Sequence, residues 1–369
     1  MFRRPLVSRV PTLARFGDVE VLWDDLLRRG TRRPAFRVVR AGTTVAGRDV
    51  TRRAGIGNRD LDDLVSANQV VDRYRRGDTV VLQGLHHTNP HLARLANNLA
   101  LDLDHPVQVN AYLSPSNARG LDLHFDFHDV FVVQLGGSKR WRVWTPLERT
   151  TNPVKGPHAI AAPRPEELGD PLLDITMGAG DCLYLPRGFP HAAETVDRHS
   201  DHLTIGLVAV TWQRVFRKAI DAEVAAGRLT GALPVGLLEP GVAVPTEAGG
   251  VEGVRQRVTA ETLRHWMARE IWRRQPATRL RPRVAPALES RPLVITPGPL
   301  LWLTMIDDRA VLGLGDRLLD MPVEAHVFLS ALLDAECPVD IVSLKGLDEE
   351  SRAVVLRRLL AEGVLAHVD

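Results

Sequence analysis

His124 and Asp126 stand two residues apart in GLDLHFDFHDV, and His191 closes a second stretch, GDCLYLPRGFPHAAET. On an extended chain, side chains at i and i+2 leave from the same face, so an imidazole and a carboxylate would emerge side by side. The second stretch opens on a Gly-Asp turn, runs through an apolar strand, turns again at Pro186-Arg187-Gly188 and presents His191 at the start of the next strand. Two histidines and one carboxylate fill one face of an octahedral metal and leave three adjacent positions open. That set suits Fe(II), which needs two open positions to chelate a 2-oxoacid and a third for O2. H-x-D alone is a weak signal. The turn–strand–turn–histidine pattern is more specific, and the two together, in one strand-rich segment, predict a metal centre.

The elements that must position these residues are short. Segments 107–113, 130–135, 141–144, 182–185 and 203–210 are rich in Val, Leu or aromatics and divided by turns. Gly136-Gly137 in QLGGSKRW reads as a hairpin connection between two of them. Short strands without intervening long helices predict a sandwich or barrel, and a double-stranded β-helix, the jelly-roll of the cupins, is the natural candidate. Upstream, the spacing predicts a helix over 18–29, a strand over 79–83 and a helix over 89–101 with a proline in its first turn. Downstream, helices are expected over 212–227 and 259–274, with Pro/Gly-rich linkers at 231–250 and 281–299. The last stretch reads as strands 300–306 and 310–314 around an Asp307-Asp308 turn, helices 323–335 and 348–362, and strand 364–368, an order that suits a small winged helix. The expected class is α+β, mainly β in the core.

The chain has 369 residues, enough for two or three domains, with 44% hydrophobic and 25% charged residues. No apolar run is long enough to span a bilayer, and the first residues lack the apolar core of a secretory signal. Two cysteines, Cys182 and Cys337, exclude a disulfide scaffold and a cysteine zinc site, and favour a cytoplasmic setting. A net charge of +2 argues against a protein that coats nucleic acid. Only four of the 47 basic residues are lysines: Lys139, Lys155, Lys218 and Lys345.

The two metal-site stretches, together with NAYLSPSNARGLDLHFD and DVFVVQLGGSKRWRVW, resemble the JmjC-type cupin oxygenases, specifically bacterial members of the ribosomal oxygenase branch. The resemblance runs from about Asp78 to the C-terminus. It implies an Fe(II)- and 2-oxoglutarate-dependent dioxygenase that uses O2 to hydroxylate a protein or peptide side chain, an arginine or histidine of a ribosomal protein. It implies His124, Asp126 and His191 as iron ligands. Lys139 stands where the family pairs a basic residue with the distal carboxylate of 2-oxoglutarate, a task that a compact ammonium serves well. Asn110 matches a polar position beside the co-substrate. Tyr112, two residues on, would bond the same carboxylate or line the peptide groove. The implied domain order is a core within 1–211 carrying its motifs in 106–211, a helical dimerisation region over 212–280 that makes a homodimer, and a winged-helix-like domain over 281–369.

Other histidines have blander expectations. His128 and His202 could approach the pocket, His199 is expected at the surface, and His86, His87 and His91 in HHTNPH are expected in a solvated loop. The arginine-rich stretches 28–40 and 273–283 read as solvated basic faces, and direct nucleic-acid binding is not expected. Two alternatives share much of this pattern: a tailoring hydroxylase of a biosynthetic peptide or small molecule, and a non-catalytic cupin-like scaffold.

Overall fold

The computed structural model describes residues 4–11, 19–28, 30–116, 118, 121–151, 162–231, 251–259, 262–263, 266–267, 270–271, 274–275, 292–296, 301–306, 308–314, 317–335, 338–339 and 344–367. It divides into two units, Met1–Val208 with Arg274–Arg279, and Ala209–Arg273 with Leu280–Asp369.

The first unit contains β1 (Leu6–Arg9), α1 (Val19–Arg28), β2 (Phe36–Arg40), β3 (Thr43–Thr44), β4 (Thr51–Ile56), β5 (Arg59–Val65), α2 (Ala67–Arg75), β6 (Thr79–Leu82) and α3 (Pro90–Leu103). It continues with β7 (Val107–Pro115), β8 (Asp129–Val143), α4 (Glu148–Thr151), β9 (Leu173–Gly178), β10 (Asp181–Leu185) and β11 (His191–Leu207). The antiparallel sheet runs β1-β10-β8-β11-β7-β6-β2-β3, with β9 also on β8. In β7, Val107, Val109, Ala111 and Leu113 are buried on one face, and the alternate face carries Gln108, Asn110 and Tyr112. The Asn89 side chain caps α3, accepting from His91 and Leu92 N–H, with Pro90 in the first turn as expected.

Strand β8 corrects one expectation. Gly136-Gly137 does not reverse the chain; it lies inside a continuous strand. The first half of β8 pairs with β10 and the end of β11, and its second half with β9 and the start of β11. Two apolar runs around Gly-Gly look locally like a hairpin, but here both runs share one partner, so the chain bends instead of turning. Two long strands that pair along their whole length wrap the sheet into the jelly-roll core. Gly137 makes the bend: its φ is +61°, and a Cβ there would lie 2.0 Å from the carbonyl oxygen of His199. The register between β8 and β11 slips at this point, between Thr195 and Ser200. The expected strand at 203–210 is the end of β11, which stops at Leu207. The β4–β5 hairpin, β1, β3, α2, α4 and β9 were not anticipated, nor was β2, which buries Phe36, Val38 and Val39 inside the stretch read as a solvated basic face.

In the second unit, α5 (Trp212–Ala225) contacts α6 (Val251–Arg257), and the buried Glu223 carboxylate accepts from Arg228 and Arg257. Strand β12 (Leu293–Ile295) pairs with β16 (Leu365–His367), and β13 (Leu301–Ile306), β14 (Arg309–Leu314) and β15 (Arg317–Pro322) form an antiparallel meander. Helices α7 (Ala325–Leu333) and α8 (Glu349–Ala361) pack Phe328, Leu332, Leu356 and Leu360 into its core. Strand β15 was not foreseen. Asp307, Cys337, most of the expected linkers, half of 259–274 and most of 273–283 lie outside the described residues. Among the described residues no helix is long and apolar enough to cross a membrane.

Replacing Gly137 by alanine forces a positive φ on an L side chain and a clash with backbone. It should destabilise the first unit by at least about 2 kcal/mol. Urea unfolding measures this, and an unchanged midpoint would contradict the role of the bend.

Candidate metal centre

Residues 121–128 connect β7 to β8 and are not a strand, contrary to the extended reading of LDLHFDFH. Only His124 pairs, in an isolated bridge to His191. Its N–H donates to the His191 carbonyl at 3.1 Å, and the His191 N–H donates back at 2.8 Å. Two residues on, the Asp126 carbonyl accepts from Gly188 N–H at 2.8 Å. Alternation alone does not make a strand when no neighbour continues the ladder. The loop is nonetheless fastened at both of its chemically interesting positions to the turn that delivers His191.

The structure brings the three side chains together. His191 Nε2 lies 3.7 Å from Asp126 Oδ2, the two imidazole rings are 4.3 Å apart, and one ligand atom from each residue falls within 4.8 Å of the others. His124 Nδ1 is 2.7 Å from the Asp122 carbonyl and His191 Nδ1 is 2.9 Å from the Phe189 carbonyl. A carbonyl can only accept, so each Nδ1 carries the proton and each Nε2 keeps its lone pair for a metal. Burial, assisted by the neighbouring His124, pushes His191 down to about 4, so it is neutral at pH 7. The donor set therefore fits a divalent ion of the Fe(II) type.

Lys139 is only 3% exposed, inside the bent strand and not in a surface hairpin. Its Nζ donates to Ser114 Oγ at 3.3 Å, and Ser114 accepts in turn from Thr79 Oγ1 at 3.1 Å. Burial lowers the ammonium to about 8, with Asp201 opposing the shift. Lys139 shares a pocket with the triad, Tyr112, Trp141 and His202. Tyr112 stacks on His202 at 4.9 Å, and Trp141 meets the edge of His202 at 5.7 Å. Trp141 Nε1 and His202 Nδ1 are buried without a hydrogen-bond partner. Orphaned polar atoms beside a buried cation fit a small polar anion.

The remaining candidates sit elsewhere. Asn110 Oδ1 is taken by Gly84 N–H at 3.0 Å, and this residue is not among those lining the pocket. His128 Nε2 lies 3.2 Å from the Gln108 amide and packs over Gly206, where a Cβ would come within 2.6 Å. His199 is half exposed. His86 corrects the solvated-loop expectation: it is buried, and its Nδ1 accepts from Val109 N–H, while His87 and His91 are exposed. Two arginines of the 28–40 stretch are half exposed and ion-paired, Arg32 to Asp63 and Arg40 to Asp78. Ser114 and Trp141 were missed. The i+2 spacing from Tyr112 would have suggested Ser114, but Trp141 depends on the unforeseen path of β8.

Residues 84–215 match the family model of the JmjC domain. The match spans the three triad residues and Lys139. Among curated relatives, the bifunctional lysine-specific demethylase and histidyl-hydroxylase NO66 of Dictyostelium discoideum is 35% identical over 150 residues, 40% of this chain and 29% of that protein. Ribosomal oxygenase 1 of Gallus gallus is 43% identical over 98 residues, 26% of this chain and 16% of that protein. The chain thus spans less than a third of the length of these two relatives. Among solved structures, Escherichia coli ycfD aligns over 99% of this chain and 95% of its own, with a TM-score of 0.62 and 17% identity. A structure of YcfD described as a ribosomal oxygenase in complex with cobalt and 2-oxoglutarate aligns with a TM-score of 0.57, again at 17% identity and with the same coverage. At that identity the likeness establishes a common fold.

If the triad holds the metal, His191→Ala and Asp126→Ala should each weaken Co(II) binding by more than about 100-fold, beyond the 10–100-fold typical of outer partners. Lys139→Ala should leave it intact. Anaerobic calorimetry reads both, and wild-type affinity in either triad variant would place the metal elsewhere.

Proposed function

We propose that this protein is an Fe(II)- and 2-oxoglutarate-dependent dioxygenase that hydroxylates a side chain of a protein or peptide, with a ribosomal protein as the leading substrate. The observation that carries it is the convergence of His124, Asp126 and His191 with the buried cation Lys139 in one pocket. The names of the relatives point to ribosomal substrates, and arginine and histidine are the side chains to test first.

His124, Asp126 and His191 would hold the iron. With 2-oxoglutarate and O2, iron(II) there supplies oxidising power for an unactivated C–H bond, at the cost of decarboxylating the co-substrate to succinate. Everything else falls to the chain. Two imidazoles oriented by backbone carbonyls and one carboxylate set the ligand face. Lys139 binds the distal carboxylate and Ser114 orients the ammonium. Tyr112, placed over His202, can donate its hydroxyl to the same carboxylate, while Asn110, bonded to Gly84 outside the pocket, has no contact with it. The aromatic walls exclude water from the space between metal and cation.

The homodimer belongs to this proposal. Trp212, Phe216, Ile220 and Val224 recur every fourth residue of α5 and are 64%, 46%, 44% and 47% exposed, an apolar stripe that a second copy would cover. The meander β13–β15 with α7 and α8 supports a winged-helix-like C-terminal part, in a protein-docking role and not in nucleic-acid binding. A cytoplasmic setting fits the buried free thiol of Cys182.

Incubation with ribosomal proteins, 2-oxoglutarate and O2 should add one oxygen atom to a side chain, read by peptide mass spectrometry. Turnover only on small molecules or biosynthetic peptides would contradict the ribosomal assignment. Lys139→Ala should raise the 2-oxoglutarate requirement roughly 10- to 100-fold, the worth of a charge-assisted hydrogen bond. Only the protonated amine binds the carboxylate, and free Lys139 titrates near 8. Co-substrate affinity should therefore hold below about pH 8 and fall by up to roughly tenfold per unit above it; a flat profile to pH 9.5 would remove Lys139 from the contact. Phe216→Glu should convert a dimer to monomer in sedimentation, and a dimer that survives would place the interface elsewhere.

A further inference from the structure

The pocket wall continues past the residues that enclose the metal site and Lys139. On β11, Thr204 lies between Asn110 of β7 and Val132 of β8, and Gly206 lies between Gln108 and Val130. Thr204, Val132 and Val130 line the pocket, so Gly206, two residues beyond Thr204, belongs to the same inner face. There a side chain from elsewhere takes the place of the missing one. A Cβ at Gly206 would lie 2.6 Å from Cδ2 and 2.9 Å from Nε2 of His128, and 3.1 Å from Cγ of Gln108. The His128 ring therefore rests its Cδ2–Nε2 edge on the sheet, and Nδ1 is the vertex furthest from that edge. Gln108 Nε2 lies 3.2 Å from His128 Nε2. An amide nitrogen only donates, so the imidazole nitrogen accepts and the ring proton is on Nδ1. That leaves His128 Nδ1–H as a donor and Gln108 Oε1 as an acceptor. Among the described residues neither has a partner, and neither is sealed from solvent.

Gln108 is held from behind. Strand β6 pairs with β7 only from Ala111 to Leu113, which leaves the Val107 carbonyl and the Val109 N–H without a strand on that edge. Two buried side chains replace it: Gln275 Nε2 donates to the Val107 carbonyl at 2.8 Å, and Val109 N–H donates to His86 Nδ1 at 3.2 Å. Both backbone neighbours of Gln108 are thereby fixed, the support that a precise binding group requires. The pair lies towards the metal end of the pocket, since His128 follows Asp126 by two residues. Six residues of β7, about 20 Å, separate Gln108 from Ser114 and its bond to Lys139.

We propose that Gln108 and His128 form a recognition site for a planar, uncharged side chain with one donor and one acceptor, the chemistry of a neutral imidazole or a carboxamide. His128 Nδ1–H donates to the acceptor of the incoming group, and Gln108 Oε1 accepts from its N–H. A guanidinium has five donors and no acceptor, so it meets Nδ1–H with another donor, and the pair has no carboxylate to offset its charge. Sites built to hydrogen-bond a substrate reject analogues that leave their polar groups unpaired. That the bound side chain is the one hydroxylated rests on the function proposed above; the pairing itself does not.

Metal-free full-length protein, labelled with 15N in its histidine rings, tests this with three probes: 4-methylimidazole, acetamide and methylguanidinium. At about pH 8.5 the first is mostly neutral. His128→Phe assigns the His128 signals among the 13 histidines. In the free protein Nδ1 should carry the proton; a ring protonated at Nε2 overturns the proposal. 4-Methylimidazole or acetamide should move the His128 signals to saturation, the tighter of the two naming the group, with methylguanidinium weaker by about tenfold. Gln108→Leu should weaken the preferred probe about 3- to 10-fold, and Gln108→Glu, which keeps the size and leaves only acceptors, should reverse the preference towards methylguanidinium. Methylguanidinium binding as tightly to the wild type, no shift with any probe, or unchanged affinities in both variants would each overturn the site. In the ribosomal-protein assay the oxidised residue should be a histidine, asparagine or glutamine. An oxidised arginine would overturn the recognition site and leave the dioxygenase standing. No hydroxylation would contradict the proposed function, and the probe titration would still decide the role of the pair.

Discussion

Two backbone hydrogen bonds, exchanged between His124 and His191, hold the candidate centre together. They join a connecting loop to the first residue of the longest described strand. Without them the segments that carry the two histidines would keep the Gly188–Asp126 bond but lose their register at the ligand positions. With them, the ring separation, the direction of both Nε2 atoms and the position of Asp126 follow from local geometry. The carbonyls of Asp122 and Phe189, each two residues before its histidine, complete the arrangement by fixing which nitrogen bears the proton. A metal site built in this way is preorganised by main chain, which costs little entropy to keep in place.

The same strand pair that anchors the ligands also buries the cation. β8 and β11 stay paired on both sides of the bend, so Lys139 points inward from a position that a hairpin would have left in solvent. The pocket thus combines the neutral His191 imidazole at one end with a desolvated ammonium at the other. In a low-dielectric space each charge acts further than in water.

Much of this was legible in the residues. The turn–strand–turn before His191, the strand over 107–113 and the Asn89-Pro90 start of α3 each rest on local rules, and those rules held; His124 and Asp126 converge with His191 although the strand expected to carry them does not form. The failures share one cause. Gly136-Gly137 obeys a local turn preference, and LDLHFDFH a local strand alternation, but pairing with a distant partner decides both. β11 continues the ladder past the first and stops after one residue at the second. His86 looked solvated among polar neighbours and is buried because a backbone N–H from β7 needs an acceptor there. The hairpin β4–β5 escaped notice because its strands, TRRAGI and RDLDDLV, are too charged to look like strands.

The central claim is that three protein ligands and a 2-oxoacid meet on one iron. Its most direct test is to titrate 2-oxoglutarate into the Fe(II)-loaded protein without oxygen and record the visible spectrum. The expected result is a metal-to-ligand charge-transfer band that saturates with co-substrate and is absent in His124→Ala. No band in the wild type, or an undiminished band in that variant, would contradict the account.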